Sequence, residues 1–143
     1  MEITRFDHVG LNVGDIDAMM DWYAKALGLE VEFEFAVEHA DLRGVMLRHP
    51  SGYRLELLTR EGNGPGMQPA SPLEAPLTRG FGHLALDVPD VDAAYAALLD
   101  AGATDRLSPC PSPEPGVRMA YVADAEGNLV ELLDRTAAGE RSS

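Results

Sequence analysis

Polar and apolar residues alternate from residue 5 to residue 13. Val9, Leu11 and Val13 fall on one side, and His8, Gly10 and Asn12 fall on the other. A period of two predicts a strand. The period then changes. Ile16, Met19, Met20, Tyr23 and Leu27 recur at helical spacing, which predicts a helix from Asp15 to Leu27. Asp15 can cap its free N–H groups, and Gly28 can end it in the left-handed conformation. Three strands are expected next: one near 30–38 with Val31, Phe33, Phe35 and Val37 on one face, one near 43–48, and one near 53–59. His49-Pro50-Ser51-Gly52 supplies the turn between the last two.

The same order returns downstream. A strand is expected at 81–88 and a helix from Asp90 to Ala101, with Val91, Ala94, Tyr95 and Leu98 along its inner stripe and Gly102 at its end. The stretch SPCPSPEPG (108–116) has a proline at every second position. Proline lacks the N–H that an interior strand must donate, so this stretch is expected to be a loop or an edge. Strands follow at 117–123 and 128–134, separated by Asp124-Ala125-Glu126-Gly127. Residues 61–79 are rich in glycine and proline and read as a linker. The small, polar residues 136–143 read as a frayed tail.

These two halves are copies of one pattern. FDHVGLNVGDIDA starts at Phe6 and FGHLALDVPDVDA at Phe81. GYRLELLTR starts at Gly52 and GNLVELLDR at Gly127. Both pairs are offset by 75 positions, as are His8 and His83, and Glu56 and Glu131. Two separate segments sharing one offset indicate a duplicated module rather than a solenoid, which usually needs three or more repeats. The expected fold class is therefore α+β: two tandem βαβββ modules at 1–60 and 80–135.

Alternation also fixes where four of these side chains point. If Val9, Leu11 and Val13 face the helix, His8 points away from it, and the same logic sends His83 away from Leu84, Leu86 and Val88. Glu56 lies opposite Leu55 and Leu57. Glu131 lies opposite Val130 and Leu132, flanked on its own face by Leu129 and Leu133. A carboxylate set among leucines is costly unless it is paired or binds a cation. Two imidazoles and two carboxylates suit one divalent ion: nickel, zinc, cobalt, manganese or iron(II). A single His at a strand start, or a single Glu on an antiparallel strand, is ordinarily structural or solvated. The duplicated placement is what raises these four above that reading. Met46 and Tyr121 each lie ten residues before a candidate glutamate, and Met119 shares a face with Tyr121. All three are candidate substrate-binding residues as well as plausible core packing.

Composition narrows the partners. The net charge of −13 opposes nucleic-acid binding. No apolar run reaches the roughly 20 residues of a membrane span. The first residues lack the features of a signal peptide, and a single cysteine, Cys110, fits a reducing compartment. The expectation is a soluble, cytoplasmic protein acting on a small molecule, without nucleic-acid or membrane partners.

The segments FDHVGLNVGDID, WYAKALGLEV, GYRLELL, GFGHLALDVPDVDAAYAALLDAG and GVRMAYVADAEGNLVELL resemble the vicinal oxygen chelate superfamily. That group includes glyoxalases, epimerases, extradiol dioxygenases and bleomycin-binding proteins. The resemblance implies paired modules whose curved mixed sheets surround a metal-binding cleft. It also implies ligands from the first and last strand of each module, which here are His8, Glu56, His83 and Glu131. A His-Glu-His-Glu set is most similar to glyoxalase I, and implies a lyase or isomerase moving a proton beside a carbonyl, with Glu56 and Glu131 as the catalytic carboxylates. The first strand, GLNV, lacks the arginine by which glyoxalase I helps hold glutathione; Arg5 is the nearest alternative. An iron(II) extradiol dioxygenase and a non-catalytic drug-binding protein are the other activities the resemblance offers. It also implies a homodimer.

Overall fold

The computed structural model describes residues 1–136 and divides into two compact units, Met1–Pro65 and the chain from Gly66 onward. The fold is α+β, with one four-stranded mixed sheet and one helix in each unit. The first unit contains β1 (Val9–Asn12), α1 (Ile16–Leu27), β2 (Glu30–Val37), a 3-10 turn (Glu38–Ala40), β3 (Leu42–Arg48) and β4 (Arg54–Arg60). The second contains a 3-10 turn (Ala75–Leu77), β5 (His83–Asp87), α2 (Val91–Asp100), β6 (Thr104–Pro111), β7 (Arg118–Ala123) and β8 (Leu129–Asp134).

The sheet orders are β1-β4-β3-β2 and β5-β8-β7-β6. In each unit the helix carries the chain across the sheet to its far edge. Three antiparallel strands then walk back until the last lies parallel to the first. This return sets Gly10 beside Glu56 and Ala85 beside Glu131. Both helices start where expected: the Asp15 carboxylate accepts from the Ala18 N–H and the Asp90 carboxylate from the Ala93 N–H, each at 3.0 Å. Gly28 ends α1 in the left-handed conformation, at φ 71°.

The side of each sheet that faces the helix forms the core. Val13, Ile16, Met19, Tyr23, Val45, Leu47, Leu55 and Leu57 are buried in the first unit, and Val91, Leu98, Val122, Val130 and Leu132 in the second. Each such side chain stabilises the fold by about 1.5–3 kcal/mol relative to exposure. These residues are odd-numbered in β3 and β4, so Met46 and Glu56 occupy the other face, as alternation required.

Two expectations need correction. The first strand begins at Val9 rather than at residue 5, because only Val9–Asn12 have ladder partners on β4. Val31 does not share a face with Phe33, Phe35 and Val37. Val31 pairs with Leu47 and Phe33 with Met46, so Glu32 is an extra residue that shifts the alternation by one. Of the loop or edge expected at 108–116, the structure takes the edge for the first part: residues 104–111 form a strand. It is the edge strand β6, and its ladder to β7 is irregular between Asp105 and Cys110, where Pro109 can donate nothing.

Residues 66–79 are more than a tether. Ala75 packs with Tyr121 and Leu129 in a small apolar cluster that Met67, Leu107 and Met119 extend. Gln68 donates to the Glu126 carbonyl at 3.1 Å, and Arg106 donates to the Pro69 carbonyl at 3.1 Å. The segment thus covers part of the second sheet on the face away from α2. The tail from 137 to 143 lies outside the described residues.

Candidate metal centre

In the first unit, His8 stands just before β1 and Glu56 in the middle of β4. The parallel register places Glu56 beside Gly10, and a β-carbon at Gly10 would lie 3.6 Å from the Glu56 Oε1. This confirms that Glu56 projects over the His8–Gly10–Asn12 face. His8 Nε2 lies 3.6 Å from Glu56 Oε1. Met46 is the cross-strand partner of Glu56 and is 5% exposed.

In the second unit, His83 Nε2 lies 3.1 Å from Glu131 Oε2. Tyr121 is the cross-strand partner of Glu131, and its ring meets the His83 ring edge-on at 5.3 Å between centroids. Burial, then the Glu131 charge, then the hydroxyl's role as donor to that carboxylate hold the Tyr121 phenol well above its ordinary range. Met119 lies one step further from Glu131, opposite Leu133. Tyr121 and Met119 both belong to the cluster around Ala75, so at least part of each side chain is core packing.

The structure therefore brings the expected residues together as two His–Glu pairs, one in each unit. Among the described residues, no three His, Cys, Asp or Glu side chains converge closely enough to form an ion site by themselves. The chemistry of the pairs fits a divalent cation. Asp7 Oδ2 lies 2.7 Å from His8 Nδ1. That carboxylate can accept a hydrogen bond from Nδ1–H, and in that tautomer the Nε2 lone pair is turned toward Glu56. Two acceptors that face each other at 3.6 Å lack a positive charge between them. Two ligands of a zinc-sized ion, each about 2.0–2.2 Å from it, stand about 3.0–3.5 Å apart. Both pairs lie close to that spacing.

Asp7 is a functional candidate that the alternation argument missed. It precedes β1, where the strand period does not operate. The signal available was its adjacency to His8 in sequence: a carboxylate next to a ligand histidine is a common orienting device. Asp7 is itself held by Arg54 at 3.5 Å and by Arg5 at 3.5 Å, while Arg54 forms a two-point pair with Glu32 at 2.7 and 2.8 Å. The His8 hydrogen bond, above all, keeps the Asp7 carboxyl below its ordinary pKa. The equivalent position beside His83 is Gly82, so the second unit has no counterpart.

The other two histidines lie outside the strands. His49 Nδ1 accepts from the Ser51 N–H at 3.0 Å, and its ring stacks on Tyr53 at 4.9 Å. His39 sits in the 3-10 turn after β2. A hollow of about 530 Å³ opens beyond the C-terminal ends of β1 and β4, lined by Gly14, Asp41, Arg43, Arg60 and Asn63 among others, away from His8 and Glu56.

Residues 5–132 match the family model described as Glyoxalase/Bleomycin resistance protein/Dioxygenase superfamily. The chain belongs to this superfamily. Within it, a Brassica oleracea var. gemmifera protein named "Putative lactoylglutathione lyase" is 28% identical over 134 residues. That match takes in 92% of the chain and 44% of the relative, so the chain spans less than half of that relative's length. A Vibrio parahaemolyticus protein named "Probable lactoylglutathione lyase" is 25% identical over 136 residues, covering 90% of the chain and 89% of the relative. Among solved structures, a glyoxalase family protein from Enterococcus faecalis superposes with a TM-score of 0.77 at 24% identity, covering 94% of this chain and all of that one. That likeness supports the superfamily's fold for the two βαβββ units.

Proposed function

We propose that this chain is a metal-dependent lyase or isomerase of the glyoxalase I type, acting on a small substrate with two adjacent oxygens. The observation that carries the reading is the duplicated pairing of a histidine Nε2 with a glutamate oxygen, 3.6 Å apart in one unit and 3.1 Å in the other. His8, Glu56, His83 and Glu131 would supply four ligands to one divalent ion, from one chain or from two copies. Nickel, zinc, cobalt, manganese and iron(II) all accept such a nitrogen–oxygen set. When bound, the ion would polarise the substrate carbonyl as a Lewis acid.

The chain's own groups do the rest. His8 and His83 anchor. A glutamate carboxylate takes the proton from the carbon beside the carbonyl and returns it to the neighbouring carbon, acting first as base and then as acid. The electron pair of the broken C–H bond moves into an enediolate and comes back as the new C–H bond forms. The product is an isomer of the substrate, and no oxidant enters. Met46, Met119 and Tyr121 would line the substrate's path, in addition to their packing roles. The names of the Brassica and Vibrio relatives favour a hemithioacetal of a thiol as substrate. A homodimer is proposed as the working form; Phe6 and Phe81 are exposed apolar side chains that such an assembly could cover.

The test combines elemental analysis with turnover on three substrates: the methylglyoxal–glutathione hemithioacetal, an acyl-CoA epimer and a catechol. One bound divalent ion per His-Glu-His-Glu set, with hemithioacetal isomerised, is the expected result. Oxygen uptake with catechol and iron would replace this reading by a dioxygenase. Binding of small molecules that survives chelation, without turnover, would replace it by a drug-binding protein.

A further inference from the structure

Both sheets carry a bulge at the same point of the fold, and the two bulges hold different things. In β2 the extra residue is Glu32, between the Val31–Leu47 and Phe33–Met46 pairs. In β6 it is Arg106, between the Asp105–Val122 and Leu107–Tyr121 pairs. Leu47 and Val122 share the offset of 75 positions, as do Met46 and Tyr121, so the bulges oppose equivalent points of β3 and β7. A bulge re-aims a side chain. Arg106 reaches the Pro69 carbonyl at 3.1 Å and ties down the 66–79 segment. Glu32 instead reaches across β3 to Arg54 at the start of β4. It accepts from Arg54 Nε at 2.7 Å and from Nη2 at 2.8 Å.

That two-point grip takes one edge of the planar guanidinium and leaves Nη1 for another partner. Nη1 faces Asp7 Oδ1 in a long contact of 3.5 Å, while Asp7 Oδ2 is the oxygen on His8 Nδ1 at 2.7 Å. Glu32, Arg54, Asp7 and His8 thus form one chain of polar contacts that ends on the imidazole facing Glu56. The second unit has no counterpart: Gly82 stands where Asp7 would be and Leu129 where Arg54 would be.

We infer that Arg54 is a positioning residue for His8: it holds the Asp7 carboxylate, and thereby fixes which ring nitrogen His8 turns toward Glu56. The bearing of this on metal binding rests on the function proposed above. The physical reason lies in how little else holds Asp7. It precedes β1 and has no ladder partner, and its side chain is 55% exposed. A single ion pair at such exposure contributes little, because ordering two free side chains costs entropy. Charges linked in a network with a two-point arginine–carboxylate contact are the exception. Arg54 supplies that link. Its side chain is 19% exposed and is already fixed by Glu32, so it meets Asp7 with little freedom left to lose. Arg5, the other cation on Asp7, is 67% exposed and lies on the same Oδ1 at 3.5 Å.

A double-mutant cycle read by competition titration of cobalt(II) against a chelator tests this. Arg54→Lys keeps the charge and loses the fork. It should weaken cobalt affinity by about 5-fold, within the range of coupled neighbours. In an Asp7→Ala background the same substitution should change affinity by less than about 2-fold, since Arg54 then has nothing to hold. A second readout needs no metal. Long-range proton–nitrogen NMR of the metal-free protein, at a pH well above the ordinary imidazole pKa, reports the tautomer of His8. The wild type should show His8 protonated on Nδ1, and Arg54→Lys should shift population to the Nε2–H form. Equal losses of affinity in both backgrounds, no loss in either, or an unchanged His8 tautomer overturns the positioning role and leaves the proposed function standing. A wild-type protein that binds no cobalt overturns the proposed function, and the tautomer populations then decide the positioning role by themselves.

Discussion

Phe35 lies directly over Gly44. A β-carbon added at Gly44 would fall 2.1 Å from Cζ of the Phe35 ring, well inside contact distance. The ring covers the sheet on the face that carries Met46 and Glu56, since Phe35 pairs with Gly44 two positions from the Phe33–Met46 pair. Gly44→Ala should push the ring aside and destabilise the protein by about 1–3 kcal/mol, the usual range for overpacking. Denaturant midpoints measure this. In a Phe35→Ala background the same substitution should cost less than about 0.5 kcal/mol, because the two sites then no longer couple. A penalty of equal size in both backgrounds would show that the ring is not the obstacle.

Asp7 should matter to metal binding more than to folding. It lies outside the ladder and is exposed, yet it fixes which ring nitrogen of His8 faces Glu56. Asp7→Ala is expected to weaken divalent-ion affinity by about 10–100-fold, as loss of a partner behind a ligand histidine generally does. A competition titration against a chelator reads this directly. The denaturant midpoint of the metal-free protein should hardly move.

Tyr53 gives the first unit an alkaline weakness. Burial raises its phenol from 10.0 to about 12. A group whose folded pKa lies above its unfolded one stabilises fully below the unfolded value and loses that stability as pH rises toward the folded one. Stability should therefore fall between pH 10.0 and about 12, as the unfolded chain ionises first. Tyr53→Phe should flatten that fall. Denaturant midpoints of both proteins across this window decide it, and parallel losses in the two would place the sensitivity elsewhere.

The β7–β8 turn depends on one buried carboxylate. Asp124 is 3% exposed and accepts from the Glu126 and Asn128 N–H groups, each at 2.9 Å, and from the Asn128 side chain. Asp124→Ala strands those donors and should destabilise by about 3 kcal/mol, the scale of hydrogen bonds to a charged group. Asp124→Asn, which retains an acceptor oxygen, should lose about half as much in the same unfolding measurement.

Much of the fold was legible in local pattern. Helices capped by Asp15 and Asp90 begin where expected, and the 75-residue offset by itself identifies the duplication. The pattern failed where a feature depends on a partner strand. Nothing local to Val31 and Phe33 marks Glu32 as the extra residue, since the bulge exists only in the register with Leu47 and Met46. For the proline-rich stretch at 108–116 the local pattern left a loop and an edge both open, and Thr104–Pro111 is a strand with two prolines. It is tolerated because β6 is an edge, and edge position is a property of the assembled sheet.

The candidate site divides along the same line. Alternation alone put His8 and Glu56 on one face, and His83 and Glu131 on another, because side chains on a strand point to opposite sides in turn. That argument fixes a direction and no distance. Only tertiary structure brought each histidine within 3.1 or 3.6 Å of its glutamate, by returning β4 beside β1 and β8 beside β5. It alone set Tyr121 across from Glu131 and Met46 across from Glu56, since the register between strands is decided by the packing of the whole sheet.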